Sequence, residues 1–443
     1  MDAPLPAVFV GLTEVAGYFG GLAAGLRANG CRVGFLNTNS FRYAYPEPAI
    51  GNPWIFRATS RLARRLSESP SEPGSWFLRW AVYVPLKCLS FAYALAAYDV
   101  FIFGGNSSFF GLRELPVYRW LRKQTVFVSL GSDSRPAYLS GIYKDDLPPG
   151  CDPSDWMVER DARVSRVLAR IDAHASVVVD YPQHAHFRRR VCCSGLALGF
   201  PVAARTGDAS GPTHPSSGDP SGRRAVRLLH APSRPAAKGS PRVRGVVAAL
   251  RERGLDIDYV ELAGVSNEAV LREIDRADVV IDECYSDLPL GGLGVEAALL
   301  GKPVVVGGYF AERLREHLPP EDVPPSVFVP PEDVERAVQE LVEKPERCRE
   351  IGERLRAFVT QRWSGEAVGR RYLSVLRGTA PREWFFDPSQ LDYFLGWGVS
   401  REEARQNVTR VVGRHSVHAL QLDHDARLLE RMLAFFGLGD RPA

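Results

Sequence analysis

Short apolar runs of strand length alternate with segments of helical spacing along most of the chain. In the first half, these runs occupy residues 7–12, 31–37, 99–104, 126–130 and 175–180. In the second half, they occupy residues 227–230, 257–262, 279–281 and 304–306. Strands that are apolar throughout and are separated by helices are typical of parallel sheets covered on both faces. The pattern therefore predicts two α/β domains, one in residues 1–203 and one in residues 223–375.

Two stretches interrupt this alternation. Residues 204–222 lose almost all apolar side chains in favour of Gly, Pro, Ser and Asp, which predicts a flexible linker or a long surface loop. From about residue 376 the chain becomes aromatic and loop-like, and residues 400–436 show helical spacing. We expect residues 376–443 to form an aromatic and helical C-terminal extension that packs back on the body of the protein.

The longest apolar segment, residues 76–98, has two interpretations. A membrane-spanning helix needs about 20 apolar residues, and here Arg79, Pro85 and Lys87 interrupt the run. We favour a core helix packed on the sheet, because charged residues are rare within a membrane span. The alternative is a helix that lies on a membrane surface, with the basic helical segment before it, residues 54–71, as its anchor.

Composition and charge limit which partners and which cellular compartment we expect for the protein. The 443 residues carry a net charge of +3, which is too small to indicate a nucleic-acid partner. The first apolar run is only strand-length and lacks a basic region before it, so we expect no signal peptide. The seven cysteines are scattered and odd in number, which is typical of reduced thiols in a cytoplasmic protein.

Residues 278–306 combine a strand, a glycine-rich loop, a short helix and a second strand in immediate succession. The loop contains Gly291 and Gly292, and the helix is predicted to begin near Val295 with Glu296 in its first turn. This succession presents backbone amides to an anion in α/β proteins. Glu296 adds a carboxylate beside those amides, although acidic residues favour the first turn of any helix.

The loop after the first strand of the second domain carries two cations, Arg234 and Lys238. It lies at the carboxyl edge of a parallel sheet, where α/β proteins bind ligands. Two cations near a helix N-terminus would hold a diphosphate and neutralise its charge as it leaves. Either residue alone would be a solvated surface charge, but the loop at Gly291 and Gly292 should open on the same edge.

With these motifs the second half resembles the donor-binding domain of retaining GT-B glycosyltransferases of family four. The matching segments lie within residues 227–307 and read, in order, HAPSRPAAKGS, GLDIDYVELAGVSNEAVLREIDRADVVID and GGLGVEAALLGKPVVV. The first half agrees through EVAGYFGGLAAGLRANGCRVGFLN and through YDVFIFGG followed by FVSLGSDSR. The resemblance implies two Rossmann-like domains facing across a cleft, with the nucleotide sugar on the second domain and the acceptor mainly on the first.

The resemblance also implies a role for each matching position. It places Arg234 and Lys238 on the donor diphosphate and Glu296 on the ribose hydroxyls, while Gly17 faces the donor from the first domain. The predicted catalytic residues are Arg234, Lys238 and Asp133. The predicted donor-binding residues are Gly17, His230, Ser233, Asp287, Gly291, Gly292, Leu293 and Glu296. On the acceptor side we predict Arg135 and His184.

Two positions depart from the family pattern. Leu288 stands where the family has an acidic residue that contacts the transferred sugar, and Asp287 or Glu283 could supply that carboxylate from a shifted loop. Leu130 stands where many relatives have a histidine, just before the Gly-Ser-Asp stretch of the first domain. Asp133 and Arg135 are the polar candidates in that loop.

We therefore expect a glycosyltransferase that moves a sugar from a nucleotide-sugar donor to an acceptor hydroxyl with retention of configuration. We expect no metal or other cofactor, because arginine and lysine can neutralise the leaving group. The alternative is a non-catalytic GT-B protein that binds a nucleotide sugar or partners an active glycosyltransferase. A sugar-nucleotide epimerase is a third interpretation, but its catalytic carboxylates and histidines are not evident. The donor base, the sugar and the acceptor (a glycan, a lipid-linked or a small molecule) stay open, as does peripheral membrane contact.

Overall fold

The structure is a computed structural model that describes residues 4–39, 50–68, 74–203 and 224–439. The predicted linker, residues 204–222, lies outside the described residues. Within them, the strands in chain order are β1 Val8–Leu12, β2 Val33–Asn37, β3 Val100–Gly104, β4 Gln124–Val128, β5 Val177–Asp180, β6 Cys192–Ser194, β7 Val226–His230, β8 Ile257–Glu261, β9 Val279–Glu283, β10 Val304–Gly307, β11 Val327–Val329 and β12 Phe385–Phe386.

Helices separate most of these strands. In chain order they are α1 Tyr18–Ala28, α2 Trp54–Glu68, α3 Ser75–Phe77, α4 Val84–Ala97, α5 Leu115–Trp120, α6 Tyr143–Asp146, α7 Pro153–His174, α8 Gly195–Leu198, α9 Ser240–Glu252, α10 Asn267–Arg276, α11 Gly292–Leu299, α12 Leu314–His317, α13 Val334–Glu343, α14 Pro345–Gln361, α15 Gly365–Leu376, α16 Arg401–His415 and α17 Ala426–Phe435. A π-helical segment, Leu78–Tyr83, joins α3 to α4 in one continuous helix, Ser75–Ala97.

The first sheet has the order β12-β6-β5-β4-β3-β1-β2 and is parallel except for β12, which pairs antiparallel with β6. Its two faces differ in composition. Phenylalanines such as Phe9, Phe101 and Phe127 fill one face, and aliphatic residues such as Val10 and Ile102 fill the other. This is the alternation expected of strands buried on both faces.

The second sheet has the order β11-β10-β9-β7-β8, and all its strands are parallel. Consecutive residues of β7 point to opposite layers, with Leu228 packing among residues of α9 and α13 and Leu229 among residues of α11 and α14. The strand order changes direction at β7, where β8 lies on one side and β9 on the other. The crevice beyond the carboxyl ends of strands at such a switch point is where open α/β sheets bind ligands.

The architecture implied by the GT-B resemblance, two α/β domains built on parallel sheets, is confirmed. Each of the nine predicted strands begins and ends within two residues of its predicted bounds. The short strands β6, β11 and β12 were not predicted, because a run of two or three residues carries almost no periodic signal.

The chain returns from the second sheet to the first at α15, which packs against α1. Gly25 and Gly365 allow this contact, because a Cβ on Gly25 would lie only 1.7 Å from the Gly365 carbonyl oxygen. Beyond α15, strand β12 extends the first sheet, and α16 packs against α7. The predicted boundary at residue 375 thus falls within a segment that already packs on the first domain.

The helix Ser75–Ala97 is not the buried core helix that we favoured from the sequence. Only Ser90 and Ala94 are buried along its length. Hydropathy measures how apolar a segment is and does not tell whether protein atoms cover it, and here the apolar side chains of much of the helix face outward.

Candidate functional site

A pocket of about 230 Å³ lies between the two sheets at the carboxyl edge of the second one. The first domain contributes Val15 and Ala16, from the loop between β1 and α1. The second domain contributes the loops after β7 and β8 and the start of α11. The lining residues on this side are Ala231, Pro232, Ser233, Lys238, Leu262, Gly264, Val265, Asn267, Val270, Gly292, Leu293 and Glu296. The pocket therefore brings together five of the predicted site residues, namely Ser233, Lys238, Gly292, Leu293 and Glu296.

The glycine loop before α11 brings the two domains into close contact. A Cβ on Gly292 would lie 3.0 Å from the Ala16 side chain, a tight contact that would require Ala16 to shift. Helix α11 begins at Gly292, three residues before the predicted start, and Glu296 therefore lies in its second turn. A position beyond the first turn weakens the interpretation of Glu296 as a residue that only stabilises the helix dipole.

The Glu296 carboxylate is held in position by a neighbouring amide. Asn267 Nδ2 donates a hydrogen bond of 2.7 Å to Glu296 Oε1. Leu262, Val265 and Val270 form an apolar wall in the same pocket. An oriented carboxylate beside an apolar wall can accept hydrogen bonds from a pair of hydroxyls while a flat, apolar ring packs against the wall.

Lys238 also lines the pocket and contacts two buried carboxylates. Its Nζ is 3.2 Å from Asp282 Oδ1 and 3.8 Å from Glu283 Oε1. Burial opposes the charge of Lys238, but the two carboxylates outweigh it and raise the pKa of the ammonium. Burial raises the pKa of Glu283 to about 7; Lys238 lowers it and Asp282 raises it further. The net charge beside Lys238 therefore changes near neutral pH.

Arg234, the other predicted cation, does not line the pocket. Its guanidinium donates to the Asp146 carboxylate of α6 at 3.0 Å. The neighbouring Asp145 carboxylate accepts hydrogen bonds from the backbone amides of Ala236 and Ala237, at 3.2 and 2.9 Å. Two carboxylates of the first domain thus contact the cation that the sequence assigns to the diphosphate and two backbone amides of the same loop.

His230 is fully buried and supports the loop from behind. Its Nδ1 lies 2.9 Å from the Ile281 carbonyl oxygen, and its Nε2 lies 2.9 Å from Ser240 Oγ at the start of α9. Both ring nitrogens are therefore engaged within the protein, and burial lowers the pKa of the ring. His230 does not line the pocket, because its ring is directed at β9 and at the start of α9.

Arg135, His184 and Asp287 form a buried cluster across the boundary between the domains. The Arg135 guanidinium is ion-paired and hydrogen-bonded with Asp287, and His184 Nε2 lies 2.8 Å from Asp287 Oδ2. Burial disfavours the Asp287 charge, but Arg135 and His184 outweigh it and hold the pKa of this carboxyl below its usual range. None of these three residues lines the pocket. Asp287, which we predicted to bind the donor, therefore lies apart from the predicted donor-binding residues that do line it.

The position of Leu288 explains why it is apolar. Its side chain packs against a small cluster that includes Phe310 and Tyr393. Glu283, the other carboxylate considered for the missing acid, accepts a hydrogen bond from the Trp397 indole. Trp397 belongs to the C-terminal extension, whose part in the site was not predicted, because no local motif marks a long-range contact of this kind.

Asp133 borders a second cavity, of about 520 Å³, in the first domain. Its carboxylate accepts hydrogen bonds from the backbone amides of Leu130 and Gly131, at 3.1 and 2.9 Å. Burial and the nearby Asp180 charge raise the pKa of Asp133. Hydroxyl and amide side chains contribute much of the remaining lining, including Thr13, Asn39, Asn106, Ser107, Ser108 and Ser132. Val15 belongs to both cavities and places them side by side.

Gly17 occupies the N-cap position of α1 with φ at 78°, a conformation that favours glycine. Its neighbour Glu14 was not predicted as a site residue. The Glu14 carboxylate accepts hydrogen bonds from the amides of Phe19 and Gly20, at 3.3 and 2.7 Å. Burial raises the pKa of Glu14 to about 7 despite these bonds. Glu14 is therefore, like Glu283, a buried carboxyl whose pKa lies near neutral pH.

Among the residues that the structure describes, no group of three or more His, Cys, Asp or Glu side chains is arranged to hold a metal ion. The chemistry available in the pocket is that of a carboxylate, a lysine and the backbone amides at the start of α11.

No protein-family model and no curated protein sequence matches this chain. Several solved structures are similar to it. HepE from Anabaena in complex with UDP and glucose is 13% identical, with a TM-score of 0.43, and the match covers 84% of this chain and 100% of HepE. The glycosyltransferase SnogD from Streptomyces nogalater is 14% identical, with a TM-score of 0.38 and coverage of 84% and 100%.

The catalytic domain of starch synthase IV from Arabidopsis thaliana, bound to ADP and acarbose, is 10% identical. Its TM-score is 0.49, and the match covers 85% of this chain and 99% of that one.

Proposed function

We propose that the protein is a glycosyltransferase that moves a sugar from a nucleotide-sugar donor to an acceptor hydroxyl, with retention of configuration. The observation that carries this proposal is the pocket between the sheets. It joins the Glu296 carboxylate, held by Asn267 beside an apolar wall, to the α11 N-terminus and Lys238. A nucleoside diphosphate needs the same sequence of environments: a flat base, a pair of ribose hydroxyls and an anionic diphosphate.

The nucleoside end of the donor fits the Glu296 side of the pocket. The base packs on Leu262, Val265 and Val270, and Glu296 accepts hydrogen bonds from the ribose hydroxyls. Hydrogen bonds to a charged group contribute about 1.5–3 kcal/mol each. Asn267 keeps the carboxylate oriented, which reduces the entropy lost when the ribose binds.

The diphosphate fits the start of α11, where the amides at Gly292 and Leu293 and the helix dipole favour negative charge. Lys238 adds a cation that stabilises the charge growing on the leaving diphosphate. Protonation of Glu283 would leave Lys238 balanced by Asp282 alone, so the site would attract the diphosphate more strongly below pH 7. This cation and these amides supply the electrostatic stabilisation that the transfer step needs.

The acceptor fits the cavity of the first domain. Its volume of about 520 Å³ and its hydroxyl and amide lining suit a polyhydroxylated group. Asp133 borders this cavity and could accept a hydrogen bond from the attacking hydroxyl. Because the two cavities share Val15, an acceptor hydroxyl held there would lie next to the donor sugar, and holding the two reactants together accounts for a large part of the barrier reduction.

A non-catalytic nucleotide-sugar binder is the second candidate, and two contacts favour it. Arg234 is paired with Asp146, and Arg135 with Asp287, so two of the polar groups expected at a transfer site are engaged within the protein. A binder would need only the Glu296 side of the pocket, which is complete without either arginine.

The two candidates are separated by a binding screen followed by a turnover assay. The chain is mixed with UDP-, GDP-, TDP- and ADP-sugars, and the melting temperature identifies any ligand. The release of the nucleoside diphosphate is then followed over a long incubation, with water as the acceptor. A transferase releases the nucleoside diphosphate from the nucleotide sugar that raised the melting temperature of the chain. Lys238→Ala should abolish most of this release while the fold stays intact by circular dichroism. Binding without release favours the non-catalytic protein, and no binding at all rejects both.

A further inference from the structure

The helix Ser75–Ala97 presents large apolar side chains to solvent. Trp76 is 71% exposed, Phe77 65%, Trp80 58% and Leu89 58%. Its first nine residues have no buried side chain. Soluble monomers rarely leave large contiguous apolar surfaces uncovered, and such a surface marks an interaction site.

The second half of the helix is fixed to the first domain by one face. Ser90 Oγ lies 2.8 Å from Thr59 Oγ1 of α2, and the ring of Phe91 packs on Phe109 at 5.2 Å between centroids. The helix therefore lies along the surface of the domain with its free face outward. This orientation, together with Arg79 and Lys87 in mid-helix, fits an element that lies in an interface and not one that crosses a bilayer.

Helix α2, which packs beside this helix, adds a basic row. Trp54 is 69% exposed at its start, and Arg57, Arg61 and Arg65 follow on its exposed side. From residue 50 to residue 98 the sequence contains six basic residues, Arg57, Arg61, Arg64, Arg65, Arg79 and Lys87, and only two acidic ones, Glu68 and Glu72. The surface formed by α2 and the helix Ser75–Ala97 is thus apolar, rich in tryptophan and positively charged, and we call it the basic aromatic surface.

We infer that the basic aromatic surface docks on an anionic lipid bilayer. Tryptophan side chains favour the headgroup region, because the indole is apolar with one polar N–H. The exposed apolar face would enter the boundary between headgroups and acyl chains, and the arginines would contact the lipid phosphates. A protein partner of matching apolar shape would not by itself need the arginine row, whereas an anionic leaflet attracts it directly.

Vesicle co-sedimentation of the whole chain tests this inference without any sugar donor. The vesicles contain phosphatidylcholine alone or phosphatidylcholine with phosphatidylglycerol. We expect binding to the second kind and weaker binding at high salt, because salt screens the arginines. Each basic residue near an anionic leaflet contributes about fivefold to binding, so Arg61→Glu/Arg65→Glu should weaken binding by about thirtyfold or more.

Matched variants separate a specific surface from general adhesion. Trp76→Ser/Trp80→Ser should abolish binding. Phe385→Ser, on the opposite edge strand of the sheet, and Arg349→Glu/Arg354→Glu, on α14, should leave it unchanged. Absence of binding to the anionic vesicles overturns the inference. The inference is also overturned if the chain does not bind vesicles and forms a dimer that Trp76→Ser/Trp80→Ser dissociates. A second copy of the chain would then cover the surface.

Discussion

The Asp287 carboxylate of the second domain is ion-paired with the Arg135 guanidinium of the first, and both side chains are almost fully buried. His184 of the first domain approaches the same carboxylate oxygen at 2.8 Å. Sequence position suggested a sugar-binding role for Asp287 and an acceptor role for Arg135 and His184. The contacts show that these residues join the two domains.

Asp287→Asn should destabilise the protein by about 3–5 kcal/mol at neutral pH, because it leaves the Arg135 charge buried without its partner. The pKa of Asp287 is depressed in the folded protein, so its contribution is present above the unfolded pKa, about 3.9, and is lost as pH falls toward the lower folded value. The difference in unfolding free energy between wild type and variant should therefore shrink below about pH 4. Urea denaturation across pH measures it.

Asp392→Asn is the matched control for that experiment. Asp392 also pairs with an arginine, Arg313, at 2.7 Å, but its side chain is exposed. Exposed pairs contribute about 0–1 kcal/mol, so the control should change stability little at any pH. Equal effects of the two substitutions would contradict the assignment of Asp287 to a buried interdomain pair.

Asp145→Asn/Asp146→Asn should tighten donor binding by about three- to tenfold. In the structure the two carboxylates contact Arg234 and the amides of Ala236 and Ala237, in the loop that also carries Lys238. Removing their negative charge should make this loop more favourable for a diphosphate bound beside Lys238. Each exposed contact contributes about 1 kcal/mol or less, which sets the size of the effect. Titration calorimetry with the donor measures it.

Glu346→Gln/Glu353→Gln, which removes two exposed carboxylates from α14, controls for the change in net charge. If both double variants tighten binding equally, the effect is one of overall charge. If Asp145→Asn/Asp146→Asn weakens binding, the two carboxylates support the donor and do not compete with it.

Glu283 should make donor affinity depend on pH. Burial raises the pKa of Glu283 to about 7, so its carboxyl is mostly neutral below that value and mostly charged above it. Charging it places a second carboxylate beside Lys238, and the affinity for a diphosphate should fall as pH rises through about 7. Glu283→Gln should remove most of this dependence.

Glu14→Gln is the control for the pH experiment, since burial also raises the pKa of Glu14 to about 7. Glu14 caps the start of α1 and has no contact with Lys238 in the structure as described. The Glu14 variant should keep the pH dependence. The role of Glu283 would be contradicted if the donor affinity of the wild type did not change with pH. It would also be contradicted if Glu14→Gln removed the pH dependence and Glu283→Gln did not.

The strands, and the edge of the second sheet at which the pocket lies, could be predicted from the sequence because they depend on local signals. Apolar runs locate strands such as β7 and β9, and the parallel sheet then fixes which loops share an edge, so Lys238 and Glu296 are found in one pocket. The pairing of Arg135 with Asp287 and of Trp397 with Glu283 could not be predicted, because each joins residues more than a hundred positions apart.

The segment from Ser75 to Ala97 shows a different limit. Its composition correctly predicts a helix. Composition alone does not tell whether the apolar side chains of that helix contact the protein core, a lipid or another chain. The structure decides against the protein core, because the tryptophans at its start are exposed. For Leu288 the limit is similar: a family pattern marks the residue as a departure, and only the packing shows that its side chain belongs to an apolar cluster.

The central claim is that the pocket beside Glu296 binds a nucleotide sugar, and calorimetry with the donor found in the screen tests it most directly. The donor is titrated into wild type, Glu296→Gln and Glu268→Gln; Glu268 lies on α10 next to Asn267 but is exposed and pairs with Arg272. We predict that Glu296→Gln weakens binding by about tenfold to a hundredfold, the loss of hydrogen bonds to a charged group, and that Glu268→Gln binds as wild type does. Equal affinity for Glu296→Gln and wild type would contradict the account.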